Sequence, residues 1–142
     1  MIFNVPRHIV LLQNGLLSEA AYNRYPPMIV KTQTRRVNRG IYQVGHSYSV
    51  QPKRGAKAVP GMRIMMDKIW EEKAEGFLIL AADDEMYPGE INITQEDALA
   101  EGGYTPNEFE EIFRELNPKW DGKKRWVFKF HVISVKGPGG KE

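Results

Sequence analysis

Residues 126–135 (WVFKFHVISV) place Trp126, Phe128, Phe130 and Val132 on one side of an extended chain, with Lys129 and His131 on the other. That alternation suits a strand with one face on a core, so the chain must build a sheet and cover it. Upstream, Thr105-Pro106-Asn107-Glu108 is a capping box with proline in the first helical turn. Phe109, Ile112, Phe113 and Leu116 then fall on one helical face, and Asn117-Pro118 ends the helix. Thr94, three residues ahead of Asp97, starts a second helix that Gly102-Gly103 stops. Strands with two or three helices predict an α+β fold, and a small curved sheet or β-barrel is the natural closure.

Other segments read less sharply. Residues 7–13 (RHIVLLQ) suggest a short buried strand, and residues 16–22 a short helix stopped by Pro26-Pro27. Residues 31–37 (KTQTRRV) suggest a strand without a strongly apolar face, followed by strands over 48–50, 63–70 and 77–82. Residues 51–60 read as a basic loop, residues 83–90 (DDEMYPGE) as an acidic turn, and residues 136–142 as a frayed tail behind a single domain over 1–135. At 142 residues one core suffices. The absence of cysteine excludes disulfides, thiolate metal sites and a cysteine nucleophile, and is compatible with a cytoplasmic protein. Residues 1–12 do not read as a signal peptide, and no run is apolar enough for a bilayer, so no membrane partner is expected.

The net charge of +2 hides a strong asymmetry. Residues 1–66 carry ten basic side chains against one acid, residues 67–117 fifteen acids against three bases, and residues 118–142 seven bases against two acids. A basic half is the footprint expected for phosphate backbones. Equally, the basic and acidic segments could neutralise each other in the fold.

Four segments, in order, resemble the ASCH family of the PUA-like superfamily. They are Lys31-Thr-Gln-Thr-Arg-Arg36; Val44-Gly45 through Ser49-Val-Gln-Pro-Lys-Arg-Gly55; Ile93-Thr-Gln-Glu-Asp-Ala-Leu-Ala-Glu-Gly102; and Asn117-Pro-Lys-Trp-Asp121 leading into Arg125-Trp-Val-Phe-Lys-Phe130. The resemblance implies a PUA-like β-barrel flanked by helices, a cleft for a base or nucleotide, and RNA or a modified nucleoside as partner. One branch of the family looks like amidohydrolases of N(4)-acetylcytidine, which use a lysine and a threonine of the K-T-x-T strand and a glutamate at the E-G helix end. Those roles carry over to Lys31, Thr34 and Glu101. His46 stands where the family turn usually has an acid, Lys53 where glycine is common, and residues 14–30 and 71–90 look like additions.

On chemistry alone, Thr34 is a weak nucleophile that needs a base. Lys31 serves as one only if burial and its arginine neighbours lower its pKa. Glu101 would hold the lysine or the leaving amine. Strict alternation puts residues 31 and 34 on opposite faces, so Lys31 must enter from a loop or across a bulge. The plainer reading is an ion pair between Lys31 and Glu101 beside an ordinary strand threonine. Arg35, Arg36, Arg39, Lys53, Arg54 and Lys57 are candidate phosphate contacts, Gln51 a reader of base edges, and Tyr48 or Trp126 a stacking platform, although Trp126 also suits the core. His8, His46 and His131 lack metal spacing, with His131 expected half-buried, and Asp83, Asp84 and Glu85 read as a solvated turn, so no metal or cofactor is expected. A protein-interaction adaptor using the acidic helical face is a third possibility.

Overall fold

In the computed structural model the described residues are 1–16, 30–73, 77–80, 85–88 and 93–135. The helix expected after Leu16, the Pro26-Pro27 turn, Asp83, Asp84 and the tail over 136–142 lie outside them. The elements are α1 (Pro6–Asn14), β1 (Gln33–Arg36), β2 (Ser47–Ser49), β3 (Met62–Lys73), β4 (Phe77–Leu80), β5 (Glu85–Pro88), α2 (Gln95–Gly102), α3 (Pro106–Leu116) and β6 (Lys124–Ser134). The fold is α+β. An antiparallel sheet runs β1-β6-β3-β2, and β4 pairs with β5 in a separate hairpin.

The long strands β3 and β6 carry the sheet. Met62, Ile64 and Met66 of β3 and Phe128 and Phe130 of β6 are buried on one face with Met1, Phe3, Leu12 and Val50. Lys129 and His131 are exposed, as the alternation requires. A bulge at Asp67 shifts the register between Met66↔Phe130 and Lys68↔Lys129, so burial passes from even to odd positions and Ile69 packs against the core. The second core lies among Ile93, Ala98, Tyr104, Phe109 and Phe113, gathered by α2 and α3. Both helices start as expected: Thr94 accepts from the Asp97 N–H, and Thr105 and Glu108 form the reciprocal box. Gly103 closes α2 at φ 74°, where a side chain would be strained.

Three expectations are corrected. Residues 7–13 are helical, because Pro6 starts a helix in which Leu11 and Leu12 are buried while Val10 is 55% exposed. A short aliphatic run does not by itself separate strand from helix. Glu85 begins β5, paired with Leu80, where an acidic turn was expected; a strand partner is a tertiary property. His131 is exposed and hydrogen-bonded to Asp67 at 2.8 Å, not half-buried.

Among the described residues no ladder joins the outer strands β1 and β2. The N-terminal segment lies between them. Ile2 forms a parallel bridge with Gln51, the Met1 amine donates to the Ser49 carbonyl at 2.6 Å, and Arg36 donates to the Ile2 carbonyl at 2.5 Å. Among the described residues no helix is long and apolar enough to cross a membrane.

Candidate functional site: a cleft at the edge of β1

Pairing with β6 sets the faces of β1. Thr34 lies opposite Phe128 and Arg36 opposite Trp126, on the side of the main core. Gln33 and Arg35 lie opposite Lys129 and Val127, on the side covered by the helices. Because β1 is an edge strand, its free backbone donors need partners. The end of α2 supplies them: the Thr32 N–H donates to Ala100 O at 2.9 Å, and the Arg35 N–H to Glu101 Oε1 at 3.3 Å.

Lys31 precedes the strand, anchored by its own N–H to Leu11 O, and so lies outside the alternation of β1. Its side chain is fully buried. Nζ donates to Gln33 O at 2.7 Å and to the Glu101 carbonyl, and lies 3.7 Å from Glu101 Oε1. Burial disfavours the ammonium more than Glu101 supports it, and with Arg36 and Arg35 nearby the Lys31 pKa is pushed down to about 8.

Arg35 is not a free phosphate ligand. It is 4% exposed, and its guanidinium bonds Glu101 at 2.8 Å, Glu72 at 3.0 Å, Asp97 at 3.2 Å and Gln33 at 3.0 Å. Burial opposes its charge, but Glu72 and Glu101 outweigh that and raise its pKa. Behind it, Arg125 is fully buried against Glu72 and Glu110. Burial alone would raise the Glu72 pKa; Arg35 and Arg125 override it and lower it. Here the basic segment does neutralise the acidic one, and the ion pair foreseen for Lys31 and Glu101 is one edge of a larger network.

A cleft of about 370 Å³ opens beside this network, and Thr34, Arg35, Arg36 and Glu101 line it together with Phe3, His8, Tyr42, Tyr104, Phe109 and Ile112. Lys31 lies behind this lining, bonded to Glu101. The other predicted binders are elsewhere. Gln51 donates to Ala56 O at 2.9 Å within its own loop, and the Tyr48 hydroxyl accepts from the Gln43 N–H at 2.8 Å while its ring packs edge-on against Tyr42. Lys53, Arg54 and Lys57 are exposed on the basic loop. Trp126 packs against the core with Arg39 over its ring at 5.6 Å.

Two cleft residues carried no signal in the sequence. His8 on α1 and Tyr104 after α2 share a hydrogen bond of 2.7 Å between Nε2 and the hydroxyl, across 96 positions of chain. Gly102 lets them meet, since a Cβ there would stand 2.6 Å from the Tyr104 ring and 3.0 Å from His8 Nε2. Burial, then the positive charges of Lys31, Arg36 and Arg7, push the His8 pKa down to about 3, so His8 is neutral at neutral pH. Burial raises the Tyr104 pKa, so its hydroxyl keeps its proton there. In the unfolded chain His8 titrates near 6.5, and between that pH and about 3 the unfolded state holds the extra proton. The His8 contribution is therefore complete above pH 6.5 and is lost as pH falls. The slope is at most about 1.4 kcal/mol per pH unit, reduced by solvent screening at the cleft. Urea titrations from pH 7 to pH 4 should show a shallower decline for His8→Gln than for wild type; parallel curves would mean that His8 protonates freely when folded.

The chain matches no protein-family model, no curated protein and no solved structure.

Proposed function

We propose that the cleft binds a modified pyrimidine nucleoside, free or as an unstacked base of single-stranded RNA, in the manner of the ASCH domains that the sequence resembles. The observation that carries this reading is the convergence of Thr34, Arg36 and Glu101 with the His8–Tyr104 pair on one cleft of about 370 Å³. Small-molecule sites are typically concave, largely apolar, and set with a few fixed polar groups. Phe3, Tyr42 and Phe109 supply the apolar wall. Arg35, Gln51 and Tyr48 are engaged within the protein, which favours a pocket-sized ligand over a long RNA groove. Lys53 and Arg54 remain for flanking phosphates, and that part of any RNA affinity falls with added salt. On this reading the sheet is a PUA-like barrel, with the N-terminal segment closing the gap between β1 and β2.

A second reading is hydrolytic, and the Lys31 pKa near 8 favours it, because about a tenth of the amine is then neutral at pH 7. In this reaction the Thr34 hydroxyl attacks the acyl carbonyl and Lys31 takes its proton. The exocyclic amine leaves with a proton, and water then hydrolyses the threonyl ester, regenerating Thr34 and releasing the acid. Glu101 holds Lys31 throughout.

The test incubates the protein with N(4)-acetylcytidine and follows binding by calorimetry and deacetylation by chromatography. Thr34→Ala is the cleanest variant because it leaves the ion network intact. The hydrolytic reading expects turnover in wild type and a loss of at least about a hundredfold in Thr34→Ala, with binding retained. Binding without turnover leaves the binding reading alone. Neither binding nor turnover with any pyrimidine nucleoside removes both and turns attention to a protein partner.

A further inference from the structure

Three arginines are drawn inward, Arg35 and Arg36 in the cleft lining and Arg125 behind it, and two of them meet carboxylates. Arg35 bonds Glu72, Asp97 and Glu101, and Arg125 bonds Glu72 and Glu110. Arg36 is the exception. It lines the cleft half-buried, yet among the described residues it forms no salt bridge. Its Nη2 donates to Ile2 O at 2.5 Å, its Nε to Thr34 Oγ1 at 3.4 Å, and its guanidinium lies over the Phe3 ring at 5.2 Å. These contacts fix the plane of the group and leave Nη1 without a protein partner among the described residues. Glu101, the carboxylate of the cleft lining, is already held by Arg35 and Lys31.

We propose that Arg36 is an anion anchor and that the ligand of the cleft is a nucleoside monophosphate, or the phosphate-bearing end of an RNA, not a neutral nucleoside. The inference rests on the nucleoside reading above and adds the charge of the ligand to it. A partly desolvated cation that has no carboxylate at salt-bridge distance among the described residues, and only the longer-range attraction of Glu101, is costly to keep, and a bound phosphate offsets that cost. Guanidinium is suited to the task, since its planar donors match phosphate oxygens and its position is preset here by Ile2, Thr34 and Phe3. The surrounding field agrees: beyond the effect of burial, the positive charges of Lys31, Arg36 and Arg7 lower the His8 pKa further, which marks a positive potential at the cleft.

Calorimetry on the full chain compares cytidine and N(4)-acetylcytidine with their 5′-monophosphates at low and high salt, with inorganic phosphate as competitor. Wild type should bind the monophosphates at least about tenfold tighter than the nucleosides, with the margin shrinking as salt rises. Inorganic phosphate should weaken monophosphate binding and leave nucleoside binding unchanged. In Arg36→Gln the ratio should fall to about one, while Arg36→Lys, which keeps the charge, should retain part of it. Should Arg36→Gln fail to fold, the wild-type competition still decides. Equal affinities in wild type, or a preference that persists in a folded Arg36→Gln, would overturn the anchor and leave the nucleoside reading standing. Failure of all four ligands to bind would overturn both.

Discussion

Glu101→Ala is expected to destabilise the protein by about 3–5 kcal/mol in urea denaturation at pH 7, the range found when one partner of a buried ion pair is removed. Glu101 is 2% exposed and receives Arg35 Nη1 at 2.8 Å, the Arg35 backbone N–H at 3.3 Å and the Lys31 ammonium at 3.7 Å. Its removal leaves two interior cations with less compensation than they need. Part of the loss is recoverable through pH. Without Glu101 the Lys31 pKa falls further below its ordinary value, since the attraction that now opposes burial is gone. A lysine with a depressed folded pKa gains stability as pH rises from that pKa toward its unfolded value. The deficit relative to wild type should therefore narrow between pH 7 and pH 9, leaving the share due to Arg35. Glu101→Gln, which keeps an acceptor for the Arg35 N–H, should fall between alanine and wild type. A deficit below about 1 kcal/mol at pH 7 would mean that Glu72 and Asp97 suffice for Arg35 and that Lys31 is content with its carbonyls.

The second large effect is expected at Arg125, a residue outside the cleft. Its side chain is fully buried, donates at 2.8 Å to Glu72 and at 2.7 and 2.8 Å to Glu110, and sits among the rings of Phe109, Phe113 and Trp120 at 5.4, 4.8 and 5.3 Å. Arg125→Ala strips the counter-ion from Glu110, one of two from Glu72, and opens a void between β6 and α3. The combined loss should reach about 4 kcal/mol or more, among the largest for a single substitution. Arg125→Lys should recover only part of it, because one ammonium cannot serve two carboxylates and three ring faces together. The Glu72 pKa, now held low, should rise in both variants and is measurable by carbonyl NMR titration. Near-wild-type stability in Arg125→Ala would show that the apolar cluster of Ile93, Ala98, Tyr104, Phe109 and Phe113 holds α3 to the sheet unaided.

Local physics decided much of what was legible in advance. The N-cap at Thr94, the capping box at Thr105, the left-handed stop at Gly103 and the alternation along β6 act within a few residues, so the sequence displays them directly. The run over residues 7–13 reads as a strand and folds as a helix for the opposite reason: its aliphatics suit either, and Pro6 with the packing of Leu12 against the sheet decides. Glu85 was misread because its partner, Leu80, has to be brought back to it.

The site divides along the same line. The residue types that gather at β1, a lysine, a threonine, two arginines and a distant glutamate, were written in the chain, and the alternation of β1 already separates Arg35 from Thr34 and Arg36. Which arginine of the cleft would be spent on carboxylates and which left without a salt bridge among the described residues was not written there. That depended on α2 delivering Asp97 and Glu101, and β3 delivering Glu72, to one face of the strand. The pairing of His8 with Tyr104 likewise needed α1 and the end of α2 to meet over a glycine with no room for a side chain. Local sequence sets helix ends and strand faces because backbone geometry has short range; charge compensation and cleft chemistry follow from desolvation and Coulomb terms among groups that only the tertiary fold makes neighbours.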